Sequence, residues 1–315
     1  MKPMRELKNR LLVISPVKDE SQYIERTIRS MVAQTCRPTL WLIVDDGSSD
    51  RTGELAEEAA KQHDWIKVLR RTKGTARRVG PGVIEAFYAG LELVDINDYD
   101  YVAKFDGDLE FEPNYFADCL TQFDENPRLG TMSGKVFIPE DGRLIPERNS
   151  DEFSMGCSKL YRRECFQEIG GFVREVMWDG IDCHRCRLFG WEAKSDPDPR
   201  LNILHLRPMG SSQKNIYHGR MRWGRGQYFM GTSFLYIFGI ATYRMRDRPV
   251  IIGGICIFLG YMQAWIQKAP QYNDLEFRTF LRRWQMNELS RRFLGFFGLG
   301  KKRQLRPQPI LYKHV

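Results

Sequence analysis

Residues 40–52 read LWLIVDDGSSDRT, a short apolar run that breaks off into two carboxylates, a glycine and two serines. Apolar side chains at successive positions predict a strand over 40–45 buried on both faces, and the break predicts a turn at its carboxyl end. Ser49 and Asp50 stand where a helix N-cap would, ahead of the Ala- and Glu-rich segment 54–62. The pattern repeats on either side. Segments 10–17 (RLLVISPV), 65–69 (WIKVL) and 101–105 (YVAKF) also read as strands apolar on both faces, and 20–33 sets Ile24, Ile28, Met31 and Val32 along one side of a helix. Strand alternating with helix over the first 140 residues predicts an α/β fold, a mostly parallel sheet covered by helices on both faces. Ligands of such sheets bind beyond the carboxyl ends of the strands.

Acidic residues gather at those ends. The first strand runs into Pro16-Val17-Lys18-Asp19-Glu20, the second into Asp45-Asp46-Gly47-Ser48-Ser49-Asp50 and the fourth into Asp106-Gly107-Asp108. Turn and cap chemistry accounts for any one of these. Three together repel one another unless a divalent cation or a ligand's hydrogen-bond donors compensate. Asp106 and Asp108 are the sharpest pair, because residues two apart on an extended segment point to one side and can hold a hard cation with positions left open for a diphosphate.

With VDDGSSDRT at 44–52, FDGDLEF at 105–111, YRRECFQEIGGF at 161–172 and WDGIDCHRCRLFGW at 178–191, the chain resembles the family 2 glycosyltransferases of GT-A fold. The resemblance covers roughly residues 10–212. It implies transfer of a sugar from a nucleoside diphosphate sugar, usually with inversion and with Mg²⁺ or Mn²⁺. Carried onto this sequence, it places Pro16, Asp19, Glu20 and Asp46 about the base and ribose of the donor, and Asp106 and Asp108 at the metal and diphosphate. Asp46 and Glu20 would accept from a uracil N–H and a ribose hydroxyl. Family members usually carry Asn where Asp19 stands. Arg71, Lys73, Arg77 and Arg78 follow the third strand and either approach the donor or form a solvated run. The family's base lies in a Glu-Asp-x-Asp motif opening a helix, and here the segment is Trp178-Asp179-Gly180-Ile181-Asp182, with glycine in place of a middle carboxylate. The base is then Asp179 or Asp182, with Asp179 favoured as the residue nearer the loop. His205 is a further metal ligand in some similar enzymes; a core or phosphate-contacting histidine is the alternative. Trp178 would stack on an acceptor sugar or pack.

From 130 to 196 the pattern is mixed, with a short helix at 162–169 stopped by Gly170-Gly171 and another at 179–189 closed by Gly190. Cys183 and Cys186 have CxxC spacing but fall within a helix without a second pair, which disfavours zinc. Seven cysteines at irregular spacing, and a start with too short an apolar run for a signal peptide, predict a reducing compartment. With 42% apolar and 28% charged residues among 315, the composition excludes disorder, collagen and a small disulfide scaffold.

The net charge of +8 conceals a division: residues 1–200 hold 29 basic and 36 acidic side chains, whereas 201–315 hold 19 and 4. The second part therefore faces a polyanion or an anionic membrane. Uncharged stretches of 18 residues before Arg244 and 19 before Lys268 suit lipid better than nucleic acid. Their polar residues and the arginine-bearing connector RMRDR favour interfacial helices over a spanning hairpin. The expected organisation is a catalytic domain over 1–212, a basic, apolar helical region for membrane association over 213–300 and a basic tail over 301–315. The expected activity is metal-dependent transfer to a hydroxyl of a glycan or lipid-linked acceptor in cell-surface polysaccharide or glycolipid assembly, at the cytoplasmic face of the membrane. Two alternatives stand beside it: transfer to a polyprenyl phosphate, and a non-catalytic scaffold that keeps the fold.

Overall fold

A computed structural model describes residues 9–72, 81–140, 142–147, 149–207, 216–246 and 249–296. They divide into two compact units, one within 1–208 and one within 209–305.

In the first unit β1 (Leu11–Val17) lies between β2 (Leu40–Asp45) and β4 (Tyr101–Phe105), parallel to both, and β3 (Ile66–Arg70) continues the parallel set beyond β2. Beyond β4, β9 (Ser158–Arg162) runs antiparallel, followed by β6 (Leu129–Gly134) and β10 (Glu192–Asp196), giving the order β10-β6-β9-β4-β1-β2-β3. Alternate residues of β1 serve opposite faces. Leu11, Val13 and Val17 join a core with α1 (Ile24–Val32), α2 (Thr52–Gln62) and α4 (Tyr115–Glu125); Leu12 and Ile14 join one with α3 (Pro81–Leu91), α5 (Arg163–Glu168) and α6 (Trp178–Leu188). The carboxyl ends of β1, β2 and β4 consequently meet along one edge, as the repeated strand and helix pattern requires.

Three local expectations are corrected. The strand at 101–105 is not apolar on both faces: Lys104 is buried within it. The helix after DDGSSD has Arg51 rather than Ser49 or Asp50 as its cap residue, although Asp50 still accepts from the Thr52 N–H at 3.0 Å. Asp106-Gly107-Asp108 forms a turn between β4 and β5 (Leu109–Phe111) rather than an extended segment, because β5 leaves the main sheet for a second one. That sheet, ordered β5-β11-β7-β8, pairs β11 (Ile203–His205) antiparallel with β5 and parallel with β7 (Val136–Glu140), which is antiparallel to β8 (Arg143–Pro146).

The second unit contains α7 (Ile216–Met230), α8 (Phe234–Arg244), α9 (Ile252–Ile266) and α10 (Leu275–Phe296). The uncharged stretch before Arg244 is not one helix. Gly231, at φ +90°, ends α7, and the released groups are satisfied locally: Ser233 N–H donates to Gln285 Oε1 at 2.9 Å, and Tyr261 OH donates to Thr232 O at 2.8 Å. No helix among the described residues is long and apolar enough to cross a membrane.

Candidate active site

The turn after β4 is held from three sides. Thr27 of α1 donates its hydroxyl to Gly107 O at 2.8 Å and accepts the Leu109 N–H at 2.9 Å, while Leu206 N–H donates to Asp108 O at 2.8 Å. A Cβ at position 107 would stand 2.6 Å from Val17 Cγ1, so a larger residue there would have to displace that side chain. The carboxylates of Asp106 and Asp108 and the imidazole of His205 each offer a ligand atom, all within 4.8 Å of one another. His205 arrives through the register of β11 against β5, which sets it opposite Leu109.

His205 Nε2 lies 3.3 Å from Asp108 Oδ1 and its Nδ1 3.7 Å from Glu147 Oε1. Burial opposes the imidazolium, but the two carboxylates outweigh it and raise His205 to about 10. Asp108, desolvated yet facing His205 and Arg207, is held below the usual carboxylate range. Its buried Oδ2 accepts no hydrogen bond among the described residues. Two carboxylates and an imidazole, each offering a ligand atom within 4.8 Å of the others, form a donor set that fits Mg²⁺ or Mn²⁺, and the nitrogen ligand suits Mn²⁺ better.

The ends of β1 and β2 build the neighbouring wall. Glu20, buried, accepts from the Arg207 guanidinium at 2.7 Å, and the same Arg207 nitrogen lies 3.1 Å from Asp108 Oδ2. Arg71 reaches Asp46 at 2.5 Å, bringing together two residues that the sequence assigned to the donor. Asp19, at φ +53°, turns its carboxylate onto the Ser49 N–H at 2.7 Å and the Ser49 hydroxyl at 3.0 Å. It therefore closes the DDGSSD loop, work that an Asn could share, and that carboxylate oxygen already serves the loop. Pro16 lies buried within β1, level with Val44. Lys73, Arg77 and Arg78 lie outside the described residues.

The two base candidates separate sharply. Asp179 is exposed at the start of α6, its carboxylate lying over Gly156, where a Cβ would meet Oδ2 at 3.1 Å. Gly156 O accepts from Lys104 Nζ at 3.0 Å, and Lys104 also pairs with Asp106, so one buried ammonium links the Asp106–Asp108 turn to the loop beneath Asp179. Asp182 is fully buried. It pairs with Lys159 at 2.6 Å and accepts from the Tyr161 hydroxyl, and Lys159 also donates to Asp179 O at 2.9 Å. Despite its burial, Lys159 is held charged by Asp182, above the usual lysine range. Asp182 therefore has no access to an acceptor. Trp178 is buried between both ammonium groups, 5.3 Å from Lys104 Nζ and 5.7 Å from that of Lys159, and packs against Phe172. Cys183 and Cys186 are buried; Cys186 Sγ faces Cys165 Sγ at 3.5 Å.

Sequence reasoning missed Lys104, Lys159 and Arg207. Arg207 had a signal, since it stands two residues after His205 and points with it toward Asp108. A lysine inside an apolar strand is also a signal, because a buried ammonium requires a partner.

The mixed sheet, the DxD turn and the acidic strand ends define a nucleotide-sugar-type GT-A enzyme. Residues 12–178 match the family described as Glycosyl transferase family 2, and the chain belongs to that family of enzymes. It is 23% identical over 229 residues to the poly-beta-1,6-N-acetyl-D-glucosamine synthase of Staphylococcus epidermidis, across 66% of this chain and 52% of that one. The same figures hold for the synthase of Staphylococcus aureus strain COL, so the chain spans about half the length of these curated relatives. Among solved structures, the mannosyltransferase PcManGT from Pyrobaculum calidifontis, in complex with GDP-Man and Mn2+, superposes with a TM-score of 0.53 at 15% identity, over 93% of this chain and 84% of that one. S. aureus TarS 1-349 in complex with UDP-GlcNAc gives 0.52 at 14% identity, over 86% and 78%. These likenesses establish the fold.

Proposed function

We propose that the protein is an inverting, metal-dependent glycosyltransferase that moves a sugar from a nucleoside diphosphate sugar, of the uridine series, to a hydroxyl of a glycan or lipid-linked acceptor in cell-surface polysaccharide or glycolipid assembly. One observation carries the reading: Asp106, Asp108 and His205 converge within 4.8 Å; the exposed Asp179 beside Gly156, whose carbonyl accepts from the Lys104 that pairs with Asp106, supports it. The UDP-GlcNAc bound in TarS supports a uridine-series donor, the GDP-Man of PcManGT supports only a nucleoside diphosphate sugar, and the polymer named in the curated relatives supports the pathway.

Asp46 and Glu20 bind the base and ribose, with Arg71 and Arg207 neutralising their charge until the donor arrives. Asp106, Asp108 and His205 would hold the cation, Mn²⁺ or Mg²⁺, which would supply positive charge against the departing diphosphate. Lys104 keeps Asp106 aimed while it is unliganded. The acceptor oxygen attacks the anomeric carbon from the face opposite the diphosphate. As the bond to the diphosphate breaks, Asp179 takes the hydroxyl proton. A base standing exposed at that place favours a hydroxyl acceptor over an acceptor phosphate, which needs none.

The basic second unit holds the catalytic unit at an anionic membrane surface on its cytoplasmic side, with residues 1–212 as the catalytic domain, 213–300 as the associating region and 301–315 as a basic tail. Donor-panel transfer assays with Mn²⁺ test the chemistry. Asp108→Asn should abolish transfer with the melting temperature unchanged, and EDTA should do so reversibly. Full activity of a demetallated enzyme would refute the reading.

A further inference from the structure

The helices of the second unit bury a small apolar core that includes Ile237, Ile257 and Tyr261, and leave much large apolar surface outside it. α7 and α9 approach through glycines: a Cβ on Gly224 would stand 1.9 Å from Ile257 O, and one on Gly260 2.1 Å from Met221 O. Gly254 lies likewise against Ala241 O of α8, where a Cβ would stand 2.3 Å away. Beside these close approaches Ile237, Ile257 and Tyr261 are buried, whereas other large apolar side chains of the same helices face outward. Leu235 and Phe238 of α8 are 60% and 57% exposed, and Leu259 of α9 is 51% exposed. The Phe238 ring lies 6.0 Å from that of Phe258, so the two outward rows adjoin. Small residues at a helix contact with large apolar ones outside is the arrangement lipid favours and water penalises.

The connection between α8 and α9 points the same way. Ile252 N–H donates to Val250 O at 2.7 Å around Ile251 at φ 64° and ψ −58°, a γ-turn of the positive-φ form that a β-branched residue adopts only against strain. The strain presents three consecutive aliphatic side chains, Val250, Ile251 and Ile252, exposed by 59%, 56% and 50%. The surrounding charge is predominantly basic. From Ile216 to Asn273 the sequence holds seven basic residues and one acidic. Arg244 and Arg246 close α8 at this turn, and Arg220 Nε lies 3.7 Å from where a Gly253 Cβ would be.

Resting on the reading of the second unit as the membrane-facing part, we propose that the α8–α9 hairpin is a shallow insertion element for an anionic lipid leaflet. The turn at Val250–Ile252 and the outward rows of both helices enter the acyl boundary, and Arg220, Arg244 and Arg246 meet the phosphates of the headgroups. With 15 residues, α9 is about 22 Å long, short of the roughly 30 Å hydrocarbon core. The element therefore lies in one leaflet.

The test floats the full chain with phosphatidylcholine vesicles, with and without phosphatidylglycerol. Wild type should bind only the anionic vesicles. V250S/I251G/I252S should lower the partition about a hundredfold while leaving the melting temperature and Mn²⁺-dependent turnover on a soluble acceptor unchanged. F238S/L259S, which leaves the turn intact, should lower it as well. A fluorophore at position 251 should be quenched by lipid labelled near the headgroup and not by lipid labelled near the acyl end. Wild type that ignores both kinds of vesicle would overturn the membrane reading itself. Undiminished binding of both variants would overturn only the insertion element, as would quenching from the acyl end or a wild-type dimer that the substitutions convert to monomer. None of these outcomes bears on sugar transfer, which is read separately in the same samples.

Discussion

Asp179 and Asp182 lie three residues apart on one helix, yet their surroundings assign them opposite work. Asp182 neutralises the buried Lys159, so removing it strands an ammonium in the core. Asp182→Ala should cost about 3–5 kcal/mol, seen as a lower midpoint in urea unfolding. Asp179→Asn should leave stability and donor affinity nearly unchanged and slow turnover by roughly 10²–10⁴. Wild-type turnover in Asp179→Asn would return the polyprenyl phosphate alternative to the front. His205 supplies the pH dependence. Its folded pKa of about 10 exceeds the ordinary value near 6.5, so the stability it contributes is complete below about 6.5 and is lost as pH rises through about 10. A metal needs the neutral imidazole. Calorimetric Mn²⁺ affinity should therefore rise about tenfold per pH unit over that window, and His205→Ala should flatten the slope.

Among the elements, the small sheet decides the site. β11 pairs with β5 so that His205 comes level with Leu109, one residue beyond Asp108, and α1 holds the turn through Thr27. Thr27→Val keeps the volume but leaves the Gly107 carbonyl and the Leu109 N–H without that partner. The expected cost is about 1–3 kcal/mol, together with weaker Mn²⁺ binding measured by calorimetry. An unchanged metal affinity would mean that β5 and β11 alone fix the turn. The glycine contacts of α7 with α9 belong to the same scale: Gly224→Leu should separate the helices and lower the melting temperature, whereas a substitution at exposed Leu259 should not.

Across the whole molecule, the proposed attachment of the basic second part to an anionic membrane predicts how the protein would be released from one. Each basic group near an anionic surface adds about 1 kcal/mol, and apolar burial adds more. High salt alone should release only part of the protein, and salt with mild detergent the rest. Met245→Cys, in a variant without the native cysteines, should resist an impermeant thiol reagent applied outside intact cells; labelling there would show that the helices span.

What the sequence determined by itself was set by local pattern. Largely apolar runs at 10–17 and 40–45, and one at 101–105 interrupted by Lys104, read as strands buried on both faces, so the parallel sheet and the edge where Glu20, Asp46, Asp106 and Asp108 gather were legible in the sequence. The helix start that carries Asp179 was legible for the same reason. Tertiary structure alone decided the surroundings of each. The choice between Asp179 and Asp182 turns on Lys159 and Tyr161, which come from β9. The ligand set turns on a β5–β11 pairing across 92 residues of chain, and Arg207 reaches Glu20 across 187. Spacing along the chain reports which residues share a face, whereas burial and charge partners are set by segments far apart in sequence, and those partners decide whether a carboxylate binds a metal, takes a proton or holds the core.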